Sequence, residues 1–135
     1  MLKLKEVIEA FEMIGPDESW INIKTGEVYN RFVFDADEMV ADDVDELLNN
    51  DDIYGLPSQY ELNEYKDMVN FVETLQNDSV KNKLYKSLTG KGVFRRFKNE
   101  IIYQGVREKW FEYRSNCLKE KAIDWMEYHN IEYEE

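Results

Sequence analysis

Thr89-Gly90-Lys91-Gly92 stands directly before a stretch that carries Arg95, Arg96 and Lys98. Two glycines beside four cationic side chains suit one chemistry above others, the holding of an anion. If a helix begins after Gly92, its first-turn N–H groups lack partners and its dipole presents positive charge. Glycine at such a place lets a phosphate or carboxylate approach the backbone closely. The spacing is not the phosphate-cradling G-x-x-x-x-G-K-[ST], and no clear strand pattern precedes it. The same residues also make a tight helix–helix corner whose arginines pair with acids elsewhere. Corner and anion site are compatible readings.

Arg114 is the second residue of interest, because it falls on the apolar side of a long helical pattern between Trp110 and Leu118. A guanidinium there needs a carboxylate, a carbonyl or an aromatic face to offset its lost hydration. Trp110, Tyr113 and Arg114 together form a candidate pocket. Asp35, Asp37, Asp42, Asp43 and Asp45 invite a calcium reading, yet the EF-hand offsets and its turn glycine are missing. No metal site is expected. His129 and Cys117 lie too far apart in sequence for a zinc-type ligand pair and read as a helix-end residue and a small core hydrophobe. No pair of acids stands out for hydrolysis. Catalytic residues and cofactors are therefore not assigned.

Charge supplies the context. The 135 residues carry 17 basic and 29 acidic side chains, a net charge of -12. Residues 1–80 account for -15 and residues 81–135 for +3. From Asp35 to Asp52 there are nine acids and no base, and from Lys81 to Lys98 seven bases and no acid. The two blocks neutralise each other, or the basic block has an external anionic partner, or both are solvated faces with no relation. The overall sign disfavours bulk nucleic-acid affinity, which comes from bases displacing counterions.

These residues need elements to position them. Leu4, Val7, Ile8 and Phe11 have the spacing of a helix over about 3–13, stopped by Gly15-Pro16. Trp20–Lys24 and Glu27–Phe34 read as a hairpin around a two-residue Thr25-Gly26 turn, with Val28, Phe32 and Phe34 on one face. A helix or a third short strand must cover it. Val44, Leu47 and Leu48 mark a short acidic helix, with loop on both sides. Ser58 and Glu61 have capping-box spacing before a helix over about 59–76 that buries Tyr65, Met68, Val69, Val72 and Leu75. Asp78 caps the next helix, which ends before Gly90. Val93, Phe94, Phe97 and Ile101 give the core stripe of another, and Gly105 precedes a last helix over about 106–128. The tail after it has no packing signal. The expected fold is α+β and mainly helical, with an N-terminal helix and β-hairpin packed against four or five helices in a single globular domain, 1–135. With Leu, Ile, Val and Phe at 36 of 135 residues, the chain has enough apolar mass for a core.

At these residues the chain resembles a known family. The run from Gly90 through Val93-Phe94-Arg95-Arg96-Phe97 to Lys98, followed by Trp110-Phe111-Glu112-Tyr113-Arg114, is similar to the signature of UPF0158, a small bacterial family of uncharacterised proteins. Leu56-Pro57-Ser58 leading into Tyr60 through Met68 resembles its middle segment, and Thr25-Gly26-Glu27 and Trp125-Met126-Glu127 fit as well. Departures are Leu56, where members often have Ile, and Tyr60, where they often have Phe. The resemblance implies no activity, cofactor or substrate. It directs attention to Gly90, Gly92, Arg95, Arg96, Trp110 and Arg114 as a set.

The expected function is a non-enzymatic binding or regulatory protein that meets another protein or a small anionic ligand at residues 90–98. A nucleic-acid-associated protein is the alternative, and a small hydrolase a more distant one. No apolar run is long enough to cross a bilayer, and the opening Met-Leu-Lys-Leu-Lys-Glu lacks the apolar stretch of a secretion signal. With a single cysteine, this points to a cytoplasmic protein without a membrane partner.

Overall fold

A computed structural model describes residues 1–31 and 41–135, with side chains in the second stretch from residue 45 onward. The fold is α+β and mainly helical. In chain order the elements are β1 (Leu2–Lys3), α1 (Leu4–Glu12), β2 (Ser19–Asn22), β3 (Val28–Asn30), α2 (Ala41–Leu48), β4 (Ile53–Gly55), α3 (Gln59–Leu62), α4 (Glu64–Thr74), α5 (Asp78–Ser87), α6 (Val93–Tyr103), α7 (Arg107–Tyr128) and β5 (Tyr133–Glu134). They make two compact units, residues 1–62 with 118–135, and residues 63–117.

In the first unit β2 is the central strand, antiparallel to β3 on one side and to β4 on the other. Residues 49–55 were expected as loop; three of them instead form the strand that covers the hairpin. The hairpin connection is also wider than two residues. The Asn22 side chain accepts from the N–H groups of Lys24 and Thr25, at 2.9 and 3.2 Å. That local turn stops β2 early, and the Asn22 N–H donates to the Glu27 carbonyl across the loop. Gly26 closes it at φ +78°, where a Cβ would collide with the Glu6 carboxylate. Val28 is 40% exposed, while Trp20 and Ile21, on opposite faces of β2, are both buried. Phe32 and Phe34 lie outside the described residues.

Leu4, Val7, Ala10 and Phe11 of α1 join Ile21, Leu118, Ala122 and Met126 in this unit's core. The chain end contributes too, which the sequence pattern does not suggest. Ile131 is buried, and Tyr133–Glu134 pair in parallel with Leu2–Lys3.

The capping box forms as expected: Glu61 N donates to Ser58 Oγ at 3.0 Å and Ser58 N to Glu61 Oε1 at 3.2 Å. The helix it opens lasts only to Leu62. Asn63 adopts φ +49°, ψ +60°, which no α-helix accommodates, and its side chain then caps α4 by accepting from Lys66 N.

The second unit consists of helices only. Its core joins Met68, Phe71 and Val72 of α4, Leu84 of α5, Phe97 and Ile101 of α6 and Trp110 of α7. Phe97 and Phe71 meet Trp110 edge-on at 5.1 and 5.4 Å between ring centres. Tyr65, expected in this core, is 43% exposed; its hydroxyl donates to the Leu88 carbonyl at 3.0 Å. The cap of α5 is Asn77 rather than Asp78, its Oδ1 accepting from Val80 N.

Candidate functional site

The α5–α6 connection positions the basic residues. Gly90 and Gly92 both have positive φ, +85° and +68°, so two left-handed residues turn the chain between the helices. Gly92 immediately precedes α6 and has no side-chain cap to offer, and no acid lies in the first turn of that helix. Basic residues at a helix start oppose the dipole, so Lys91 and Arg95 sit where helix stability alone would prefer acids. Space around a Cβ at Gly92 is open.

Arg96 turns the other way. Its Nη2 donates to the carbonyls of Ser87 and Lys86, at 3.2 and 3.4 Å, and so satisfies the C-terminal end of α5. A Cβ on Gly90 would stand 3.2 Å from Arg96 Nη1. Gly90 thus makes room for the guanidinium as well as for the turn. Lys91, Arg95 and Lys98 are exposed. Among the described residues none of the seven bases from Lys81 to Lys98 is ion-paired. The unit that holds them has 11 basic and 7 acidic side chains, net +4, whereas the first unit carries 6 and 22, net -16.

Phe94 departs from the sequence reading. Phe97 and Ile101 are buried at 1% and 2%, but Phe94 is 47% exposed. It shares the bearing of Ile101 seven residues away, or about 10 Å along the axis, in the first turn of the helix. Helical period records direction and not where a core ends.

Among the described residues Trp110, Tyr113 and Arg114 have three different surroundings. Trp110 is 1% exposed and belongs to the aromatic core. Arg114 Nε donates to Glu64 Oε1 at 3.0 Å, a carboxylate being one of the partners that its place on the helix calls for. Tyr113 alone lines a groove of about 730 Å³, with Phe71, Leu75, Val80, Val106 and Lys109 among its neighbours there. Two smaller cavities in the first unit, of about 260 and 310 Å³, share Ser19, whose Oγ is buried and has no hydrogen-bond partner among the described residues. No residue pattern in the sequence signals that oxygen.

His129 is half-buried and packs edge-on against Tyr54, Trp125 and Tyr128, with ring centres 5.0–5.4 Å away. Cys117 is half-buried. Among the described residues no three His, Cys, Asp or Glu side chains converge as metal ligands. Asp35 and Asp37, and the side chains of Asp42 and Asp43, lie outside the described residues. No helix among them is long and apolar enough to cross a membrane.

A mainly helical α+β protein with a basic helix–helix corner is the class that this architecture defines. The model of the uncharacterised protein family UPF0158 matches residues 2–134, and the chain belongs to that family. No curated protein and no solved structure matches it.

Proposed function

We propose that the protein is a binding or regulatory protein whose α5–α6 corner receives an anionic group, carried by a partner protein or a small phosphorylated ligand. The observation that carries this reading is the run of seven bases with no ion pair among the described residues. Lys91, Arg95 and Lys98 are the donors, and Gly92 leaves the uncapped start of α6 open to a ligand oxygen. Arg96 positions the corner by holding the end of α5.

Titration of inorganic phosphate, a phosphorylated sugar and acidic peptides against wild type and an Arg95→Ala/Lys98→Ala variant tests it. The double variant is expected to lose most of the binding at low salt. Equal, weak binding by both proteins removes the proposal.

A further inference from the structure

The corner runs on along α6 in a row beside the stripe that fills the core. Phe94, Lys98 and Ile102 follow one another at i, i+4 and i+8, and all three are exposed. Phe94 is 47% and Ile102 59% open to solvent, while the inward side of the same helix is already filled by Phe97 and Ile101. Arg95 flanks this stripe and Lys91 precedes it, both exposed. The stripe is about 12 Å long, two helical turns. Two large apolar groups with a cation between them and cations beside them add little to the fold as observed. Exposed apolar surface rimmed by charge is how docking sites present themselves.

We propose that this face docks an acidic amphipathic helix of a partner protein. Its leucine-like side chains pack on Phe94 and Ile102, and its carboxylates meet Lys91, Arg95 and Lys98. The inference rests on the anion-binding reading above and gives its partner a form. Spacing at i and i+4 matches the ridges that a second helix presents. A strand-like peptide has nothing to extend here, because residues 63–117 contain no strand. Single-stranded nucleic acid fits less well, since Ile102 offers no π face for a base and the unit's net charge is only +4.

The test uses fluorescence anisotropy of the full chain with four labelled probes. They are a helical peptide with Leu at i, i+3, i+4 and i+7 and Glu elsewhere, a scramble of that peptide, polyglutamate and oligouridylate. Wild type is expected to bind the amphipathic peptide about tenfold more tightly than its scramble. Phe94→Ala/Ile102→Ala should erase that preference and leave the weaker polyglutamate binding in place. Arg95→Ala/Lys98→Ala should weaken all peptides together. Circular dichroism on each variant confirms the retained fold. Equal affinity of wild type for peptide and scramble overturns the docking helix while the anion site survives. Failure to bind any of the four probes removes both readings. Tighter binding of oligouridylate than of either peptide replaces the protein partner with a nucleic acid.

Discussion

The two units bury their interiors by different means and face water with opposite charge. The first packs mainly aliphatic groups, Leu2, Leu4, Val7, Ile21, Leu118 and Met126 among them, around Phe11, with half-buried Tyr54 and Trp125 at the edge of that cluster. The second is centred on three aromatic rings, Phe71, Phe97 and Trp110, in edge-on contact. Helix α7 serves both, giving Trp110 to one core and Leu118, Ala122 and Met126 to the other. Charge divides along the same boundary, -16 against +4, so the net -12 describes neither unit. An average over a chain hides a local site when the opposite sign lies elsewhere in the same chain.

The largest expected effect tests whether this division extends to stability. Trp110→Ala removes the ring on which the second core converges and should cost about 3–5 kcal/mol in denaturant unfolding. Met126→Ala, in the first core, should cost about 2–5 kcal/mol. Hydrogen exchange then separates two cases. If Trp110→Ala speeds exchange at Met68 and Phe97 and spares Val7 and Ile21, each unit holds its own stability. Uniform loss of protection across both sets would merge them into one cooperative structure and break the comparison.

Asn63 stands at the boundary of the units, and its effect should be next in size. Asn63→Ala loses both the tolerance for positive φ and the α4 cap, about 2 kcal/mol together. Asn63→Gly keeps the backbone conformation and should cost only a few tenths of that. A thermal melt in which Ala and Gly behave alike would rule out the left-handed cap as the source of stability. Arg96→Ala should cost about 1 kcal/mol through the freed carbonyls at the end of α5. Arg114→Ala should cost about 1 kcal/mol or less, since its pair with Glu64 is roughly one-third exposed. A double-mutant cycle with Glu64→Gln isolates that interaction.

Much of this was legible in the residues. The capping box at Ser58, the glycine breaks at 90–92 and 105, and the need of Arg114 for a polar or aromatic partner all follow from local chemistry, and the structure contains each, Glu64 being the partner of Arg114. What escaped depends on neighbours distant in sequence. The strand Ile53–Gly55 is defined by pairing with β2, because three residues carry too short a pattern to be recognised alone. Phe94 obeys its period yet is half-exposed in the first turn of its helix. Asn63 breaks a helix that its apolar spacing would continue, because a side-chain cap on the next helix competes with the backbone ladder. At the candidate site, the basic cluster was readable, whereas the separation of Arg96 from Arg95 required the end of α5 to be in place.

The smallest expected effect asks how local the charge of the acidic unit is. The Tyr29 hydroxyl donates to Glu27 Oε2 at 2.6 Å on the β3 edge of the hairpin. That hydrogen bond first, then burial, then repulsion between phenolate and carboxylate, raise the Tyr29 pKa above its ordinary 10.0. The folded protein therefore holds this proton more tightly than the unfolded chain does. The resulting stabilisation is fully present below about pH 10 and is lost as pH rises through the higher folded value. Glu27→Gln keeps an oxygen that can accept the bond but removes the negative charge, so the Tyr29 midpoint should fall toward 10. Carbon-13 labelling of tyrosine rings, with the Tyr29 resonance assigned by Tyr29→Phe, follows that midpoint directly. A midpoint unchanged by Glu27→Gln would mean that the hydrogen bond and burial, and not the charge of the carboxylate, hold the proton on Tyr29.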